Sequence, residues 1–247
     1  MSEKIYWGID GCKGGWIAIG LQKDGAYHIA YAPDIATFWE QYCPQSQLVL
    51  IDMPIGLASD SEGRLTENAT RQVLGNRRSS VFPVPTRDAI EHGGTHGFTD
   101  EHYRIACDIN RDIEGKAFSK QSWNISGKIY ALDNYLRQKP SRKHVILESH
   151  PEVMFWALNN QTPMAYSKKS GLGFNERLSI LKRYQPNALE IIEQAYTEHR
   201  KVLADDDIVD GLALAIGARM SKLRTLPSRP KIDDYGLPMQ IVYPKIQ

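Results

Sequence analysis

A short, continuously apolar segment constrains the fold more than any other feature of this sequence. Residues 48–56 read LVLIDMPIG, where the apolar run ends at Asp52 and Pro54 closes it. A run without polar alternation is typical of a strand that is buried on both faces. Such strands occur in parallel sheets that helices cover, so the segment predicts an α/β architecture.

Three strands and one helix are predicted before this segment. The strands cover residues 4–10, 15–21 and 26–32, and Asp-Gly at 24–25 predicts a tight turn before the third. A helix with one apolar face follows over residues 34–43. This crossover helix allows the fourth strand to lie parallel to the first.

The rest of the chain predicts a fifth strand at 144–149 and a last helix at 206–222, with Asp205 and Asp206 as helix caps. Residues 57–143 are interpreted as a helical and loop-rich insertion between the fourth and fifth strands. Two loops are predicted in it, at 76–87 and 92–97. Further helices are predicted at 62–75, 99–115, 126–138, 151–159, 175–184 and 186–203, and the tail from Pro227 is predicted as a loop with a short strand at 239–243.

These elements predict one domain over residues 1–247, with a mixed five-stranded sheet and helices on both faces. The formal net charge of +1 gives no support for unspecific coating of nucleic acid. The 3 cysteines are scattered without CxxC spacing, which argues against a disulfide framework or a zinc site. No apolar run approaches the ~20 residues of a bilayer span and no signal peptide is evident, so we expect a cytoplasmic protein without membrane contact.

Acidic residues stand where predicted strands end and where the last helix begins. Asp10, Asp52 and Glu148 close three apolar strands. The carboxyl ends of parallel strands meet at one edge of a sheet, where ligands bind in open α/β folds. Asp207 and Asp210 are three residues apart and so share one face of the last helix. We expect the five carboxylates to converge, although each alone also fits a turn former, a first-turn acid or an ion-pair partner.

Converging carboxylates indicate a divalent metal site. They repel one another and lose solvation, and Mg²⁺ or Mn²⁺ removes both costs because hard cations take oxygen ligands. Two such ions about 3.5–4 Å apart can activate a water and stabilise the leaving oxygen in an in-line phosphoryl displacement. We therefore predict a metal-dependent hydrolase of phosphodiester bonds. The predicted metal ligands are Asp10, Asp52, Asp207 and Asp210, and the predicted catalytic set is these four residues with Glu148.

Five segments, in this order, resemble one known family. They are GIDGCKGGW (8–16), IDMPIGL (51–57), GNRRSSVFPVPTR (75–87), ESHPE (148–152) and DDDIVDGLALA (205–215). Together they resemble, over nearly the whole chain, a domain-of-unknown-function family described as predicted RNase H-like nucleases. The resemblance implies an RNase H-like fold with an aspartate in the first strand, an acid on the fourth and acids on a late helix. Asp10, Asp52 and the pair Asp207/Asp210 match those places.

A basic segment of the insertion is the candidate for substrate binding. Residues 77–87 hold three arginines and several hydroxyls without an acid, and these groups suit phosphate oxygens. The alternative is a loop whose arginines pair with Glu67 or Asp88. Lys168 and Lys169 are interpreted equally well as phosphate contacts or as surface residues. His150, two residues after Glu148, either transfers protons or simply completes the turn between a strand and a helix. The substrate-binding candidates are Arg77, Arg78, Ser79, Arg87 and His150.

Two other functions stay open from the sequence. GIDGCKGG at 8–15 is similar to the first phosphate loop of actin/hexokinase-like, ATP-dependent phosphotransferases, but residues 125–247 contain no second loop of that kind. The GxxxxGK[ST] spacing of a P-loop is absent. Near-neutral charge also fits a non-catalytic binding or regulatory module on the same fold. The partners expected for the hydrolase are nucleic acid or a small phosphoester.

Overall fold

The computed structural model of the chain divides into two compact units. The first comprises Met1–Met53, His144–Arg224 and Val242–Gln247, and the second comprises Pro54–Lys143 and Thr225–Ile241. The second unit thus contains the segment that was predicted as an insertion, together with part of the C-terminal tail. The structure describes residues 4–43, 46–204 and 206–246.

A five-stranded mixed sheet forms the centre of the first unit. Its strands are β1 (Ile5–Cys12), β2 (Gly15–Leu21), β3 (Tyr27–Ala32), β4 (Ser46–Ile51) and β5 (Ile146–Glu148). The order across the sheet is β3-β2-β1-β4-β5, in which β1 pairs antiparallel with β2 and parallel with β4. The β2–β3 pair is antiparallel and the β4–β5 pair is parallel. The predicted α/β architecture with a five-stranded mixed sheet is confirmed.

The helices follow the predicted order, with one addition. They are α1 (Ile35–Tyr42), α2 (Thr66–Leu74), α3 (Arg87–His96), α4 (Asp100–Glu114), α5 (Lys120–Gln138), α6 (Pro151–Leu158), α7 (Gly171–Tyr184), α8 (Ala188–His199) and α9 (Asp207–Arg219). Short 3₁₀ helices cover Gly75–Ser80 and Pro140–His144. Two further strands, β6 (Leu223–Ile232) and β7 (Pro238–Pro244), pair in a separate two-stranded sheet. Within the described residues, none of the helices combines the length and the hydropathy that a membrane span requires.

Helices pack on both faces of the five-stranded sheet. On one face, the Trp7 ring of β1 meets the Phe38 ring of α1 edge-on, with centroids 5.3 Å apart. The opposite face at Gly8 lies against α9, so close that a Cβ on Gly8 would be 2.1 Å from the Gly211 carbonyl oxygen. Only glycine permits this approach of helix backbone to strand backbone. Helix α9 is buried from Ile208 to Ala218 in an apolar core of the unit, because it also packs against α6, α7 and α8.

Two predictions of irregular structure are wrong. Residues 92–97, predicted as a loop, belong largely to α3, whose Gly93 and Gly94 allow close packing instead of breaking the helix. A Cβ on Gly93 would come within 2.4 Å of the Phe98 ring, and one on Gly94 within 2.2 Å of the Tyr130 ring. Strand β6 was missed because it is polar and rich in proline, features that edge strands share with loops.

Helix starts and one strand end also differ from the predictions. Helix α5 begins six residues before the predicted start, because the Ser119 hydroxyl caps it by accepting the Ser122 N–H at 3.2 Å. Helix α7 begins earlier for the same reason, with Ser170 accepting the Gly173 N–H at 3.0 Å. Strand β4 ends at Ile51, so Asp52, which was expected to be the last residue of this strand, is the first residue after it.

The second unit has its own apolar core under α3, α4 and α5. Its buried members are Ala89, Ala106, Cys107, Phe118 and Trp123. Burial of these side chains stabilises the unit by roughly 25 cal/mol per Å² of apolar surface removed from water.

Candidate functional site

Two acids lie side by side where the central parallel strands end. Ile9 and Ile51 are register partners, and the Asp52 N–H continues the ladder by donating to the Ile9 carbonyl at 2.9 Å. The next residue on β1 is Asp10, which is buried and accepts the Gly11 N–H at 2.6 Å through Oδ1. Asp10 shares the sheet face of Gly8 because side chains alternate along a strand. It therefore points toward α9.

Helix α9 brings two more acids to this end of the sheet. The contact between Gly8 and Gly211 places the first turns of α9 over β1. Asp210, one residue before Gly211, is almost completely buried at 1% exposure. Asp207 is half-buried, and its Oδ2 accepts the Ala204 N–H at 2.8 Å, which closes the turn before the helix. The structure thus gathers Asp10, Asp52, Asp207 and Asp210.

The four carboxylates perturb one another electrostatically. Burial raises the pKa of Asp10 well above its ordinary value of 3.8, and Asp52, Asp210 and Asp207 raise it further. Burial raises the pKa of Asp52 to about 7, with Lys168 opposing and Asp207 adding to the rise. Burial also raises the pKa of Asp210 to about 6 against the opposing ammonium of Lys168. Shared perturbation of this kind is typical of functional sites.

A lysine that the sequence interpretation left undecided belongs to this cluster. The Lys168 ammonium lies 2.7 Å from Asp210 Oδ2 and 2.6 Å from Asp206 Oδ2. Although burial lowers the pKa of Lys168, Asp210 and Asp206 raise it above its ordinary value. Asp206 is the N-cap residue of α9, as predicted, but its side chain pairs with Lys168 and makes no capping hydrogen bond. The prediction for Asp205 lies outside the described residues.

Glu148 ends β5 but faces away from the other acids. It is the register partner of Ile51, and partners in a parallel pair point to the same sheet face. Its neighbour Leu147 packs instead with the core around α9. Strand alternation therefore separates Glu148 from Asp52 and Asp10. His150 is the N-cap of α6, where its Nδ1 accepts the Glu152 N–H at 3.2 Å.

The predicted substrate-binding arginines lie in the second unit, in different environments. Arg87 is buried and donates to Asp133 at 2.9 and 3.2 Å and to Asp233 at 2.6 Å. Neither partner was anticipated from sequence, because both are distant along the chain. Arg77 is half-buried, while Arg78 and Ser79 are exposed on the 3₁₀ helix that follows α2. Arg87 is therefore occupied by internal ion pairs, whereas the side chains of Arg78 and Ser79 remain exposed to solvent.

The donor set of the cluster suits a hard divalent cation. Buried carboxylates that raise one another's pKa are destabilised as anions, and Mg²⁺ or Mn²⁺ relieves this cost by binding their oxygens. Among the described residues, no group of three or more His, Cys, Asp or Glu side chains is already arranged to hold a metal ion. The residues fit the cation in chemistry and charge, and their side chains would need to turn toward it.

Comparison with known proteins identifies one family model. The model described as "Protein of unknown function (DUF429)" matches residues 8–232. This range includes the four gathered acids and Lys168. No curated protein and no solved structure matches the chain.

Proposed function

The chain belongs to this family of unknown function, DUF429, and we propose that it is a divalent-metal-dependent hydrolase of phosphodiester bonds, a nuclease. One observation carries the proposal. Acids from three separate elements, β1, the end of β4 and α9, meet in a largely buried cluster at the carboxyl end of two parallel strands. Folding this much negative charge together is costly, and a bound cation is the simplest physical reason to do so.

An RNase H-like assignment of the fold is part of the proposal. Its support is the place of the acids, since an RNase H-like site has an aspartate on the first strand, an acid on the fourth and acids on a late helix. Asp10 lies in β1, Asp52 follows β4, and Asp207 and Asp210 lie in the first turns of α9.

In the proposed site, Mg²⁺ or Mn²⁺ is held by Asp10, Asp52, Asp207 and Asp210. When bound, the ion supplies Lewis-acid polarisation of a phosphoryl oxygen and a more acidic water. The chain's own part is to bring the carboxylates together and orient them, and to exclude bulk water from Asp10 and Asp210, which are 8% and 1% exposed. Low local polarity strengthens the interaction of these carboxylates with charge that develops during the reaction.

The proposed substrate is a nucleic acid or a small phosphoester in the cytoplasm. A formal net charge of +1 means that affinity for phosphate must come from local groups. Arg78 and Ser79 are exposed and able to contact phosphate oxygens, whereas Arg87 is held by buried carboxylates. Of the predicted substrate-binding arginines, Arg78 thus stays a candidate and Arg87 does not.

Cleavage assays with Mg²⁺ and Mn²⁺ test this function. The substrates are single- and double-stranded DNA, RNA and bis(p-nitrophenyl) phosphate, each assayed with metal and with EDTA. We expect metal-dependent cleavage of at least one substrate, and a loss of at least about 100-fold in Asp10→Asn and Asp210→Asn. Asp112→Asn, which removes an exposed carboxylate of α4, should keep full activity.

Wild-type rates in both site variants would refute the site assignment. Metal binding without cleavage of any substrate would refute the hydrolase and leave a binding module. Calorimetric titration with ATP then tests the phosphotransferase alternative, because an ATP-dependent enzyme must bind the nucleotide.

A further inference from the structure

Lys168 is held in place by the segment that carries it, unlike an ordinary surface lysine. The Glu176 carboxylate of α7 accepts the N–H groups of Ala165 at 2.8 Å and Tyr166 at 3.1 Å, just before the lysine. The Ser167 carbonyl lies so close to α7 that a Cβ on Gly173 would be 1.9 Å from its oxygen. The backbone on the N-terminal side of Lys168 is thus fixed to the first turns of α7.

Helix α7 is itself anchored by a buried ion pair. Arg177 is 1% exposed and pairs with Glu152 at the start of α6, which is 5% exposed. The same guanidinium donates to the carbonyls of Tyr166 and Gly173, each at 3.2 Å. One buried arginine therefore connects α6, α7 and the segment before Lys168. The position of the ammonium at the cluster is determined by this scaffold.

The ammonium contacts only one side of the carboxylate cluster. It reaches Asp206 and Asp210 through their Oδ2 atoms, at 2.6 and 2.7 Å. Among the ion pairs of the described residues, Lys168 has none with Asp10 or Asp52, with which it interacts through charge. One positive charge is therefore already in place between α9 and the segment before α7, and Asp10 and Asp52 lie outside its ion pairs.

We propose that Lys168 is a resident cation of the centre, taking the place of one of the two ions of a two-metal site. The centre then binds a single divalent ion on the side of Asp10, Asp52 and Asp207, with Asp210 shared between that ion and the ammonium. A second divalent ion would stand beside the fixed ammonium, where like charges repel strongly in a partly buried site. This inference rests on the proposed metal-binding function.

Calorimetric titration with Mn²⁺ alone, at fixed pH and ionic strength, measures how many ions the chain binds and with what affinity. We expect one Mn²⁺ per wild-type chain, with electron paramagnetic resonance showing an isolated ion. Lys168→Met should bind Mn²⁺ at least about 10-fold more tightly, because it removes a positive charge that opposes the ion. Lys168→Arg should retain the wild-type affinity. Lys169→Met, which removes the neighbouring exposed charge, should change affinity less than about 3-fold.

The possible outcomes separate this inference from the function beneath it. Two Mn²⁺ ions per wild-type chain would overturn the role of Lys168 and leave the metal site intact. Unchanged or weaker Mn²⁺ binding by Lys168→Met would also overturn the role of Lys168 and leave the metal site intact. The proposal requires that the wild-type ammonium opposes the bound ion, and a merely structural lysine would not have that effect. No Mn²⁺ binding by wild type or variant would overturn both proposals. The wild-type stoichiometry decides the question even if Lys168→Met fails to fold.

Discussion

Replacing Asp52 by asparagine is expected to stabilise the metal-free protein at neutral and alkaline pH. Burial and neighbouring charge raise the pKa of Asp52 from 3.8 to about 7 in the folded chain. The folded state therefore holds this proton more tightly than the unfolded state. Well below pH 3.8 the group is neutral in both states and costs nothing. As the pH rises toward about 7, the folded state alone resists ionisation, so the free energy of unfolding falls.

The size of the effect follows from the two pKa values. The interval from 3.8 to about 7 corresponds to about 4 kcal/mol, at ~1.4 kcal/mol per pH unit. Asp52 is half-buried, and solvent screening reduces this to about 2 kcal/mol. Asparagine keeps the shape without the charge. The variant should therefore be about 2 kcal/mol more stable than wild type at pH 8 and equal to it near pH 4.

Urea unfolding in EDTA, followed by tryptophan fluorescence at pH 4, 6 and 8, measures this difference. Asp112→Asn is the matched control, because it makes the same chemical change at an exposed site, and it should match wild type at every pH. Adding Mn²⁺ at pH 8 should stabilise wild type more than Asp52→Asn. An equal difference at pH 4 and pH 8, or a less stable variant at pH 8, would show that the cluster does not destabilise the Asp52 anion.

Two further substitutions test how the units are held together internally. Gly8→Ala should destabilise the protein by at least about 3 kcal/mol or prevent folding, because its Cβ would be 2.1 Å from the backbone of α9. Gly171→Ala, where a Cβ meets nothing within 4 Å, should change stability by less than about 1 kcal/mol. Equal effects of Gly8→Ala and Gly171→Ala in thermal denaturation would disprove the close contact between Gly8 and α9. Arg87→Met should cost about 3–5 kcal/mol in urea unfolding, because it removes the buried arginine that pairs with Asp133 and Asp233. Exposed Arg78→Met should cost less than about 0.5 kcal/mol, and a stable Arg87→Met protein with weakened substrate binding would instead return Arg87 to the substrate site.

The sheet was predictable because its signals are local. Residues 48–51 are apolar without interruption, which only a strand covered on both faces requires, and β4 is that strand. Acids that end such strands can be located by reading along the chain, as Asp10 and Asp52 show. Asp210 was recognisable as a charge within an otherwise apolar helix.

Other features depend on contacts that sequence spacing does not reveal. The glycines at 93–94 suggest a loop, but aromatic side chains from elsewhere in the second unit occupy the space a Cβ would need. Arg87 is paired with acids 46 and 146 residues away. Glu148 ends its strand as expected, yet the register of β5 turns it to the other face of the sheet. A shift of one residue in register would have reversed that orientation.

The sequence by itself determined most of the elements, though not α3 or β6, and it located the candidate acids of the site, because hydrophobic periodicity and residue type are properties of short segments. Only the tertiary structure decided which charges meet. Lys168 lies 42 residues before Asp210 in a segment with no distinctive pattern. It reaches the cluster because α7 fixes its backbone and the absence of a side chain at Gly8 lets α9 lie directly on β1. Close approach of that kind is set by packing in three dimensions, and no pattern along the chain encodes it separately.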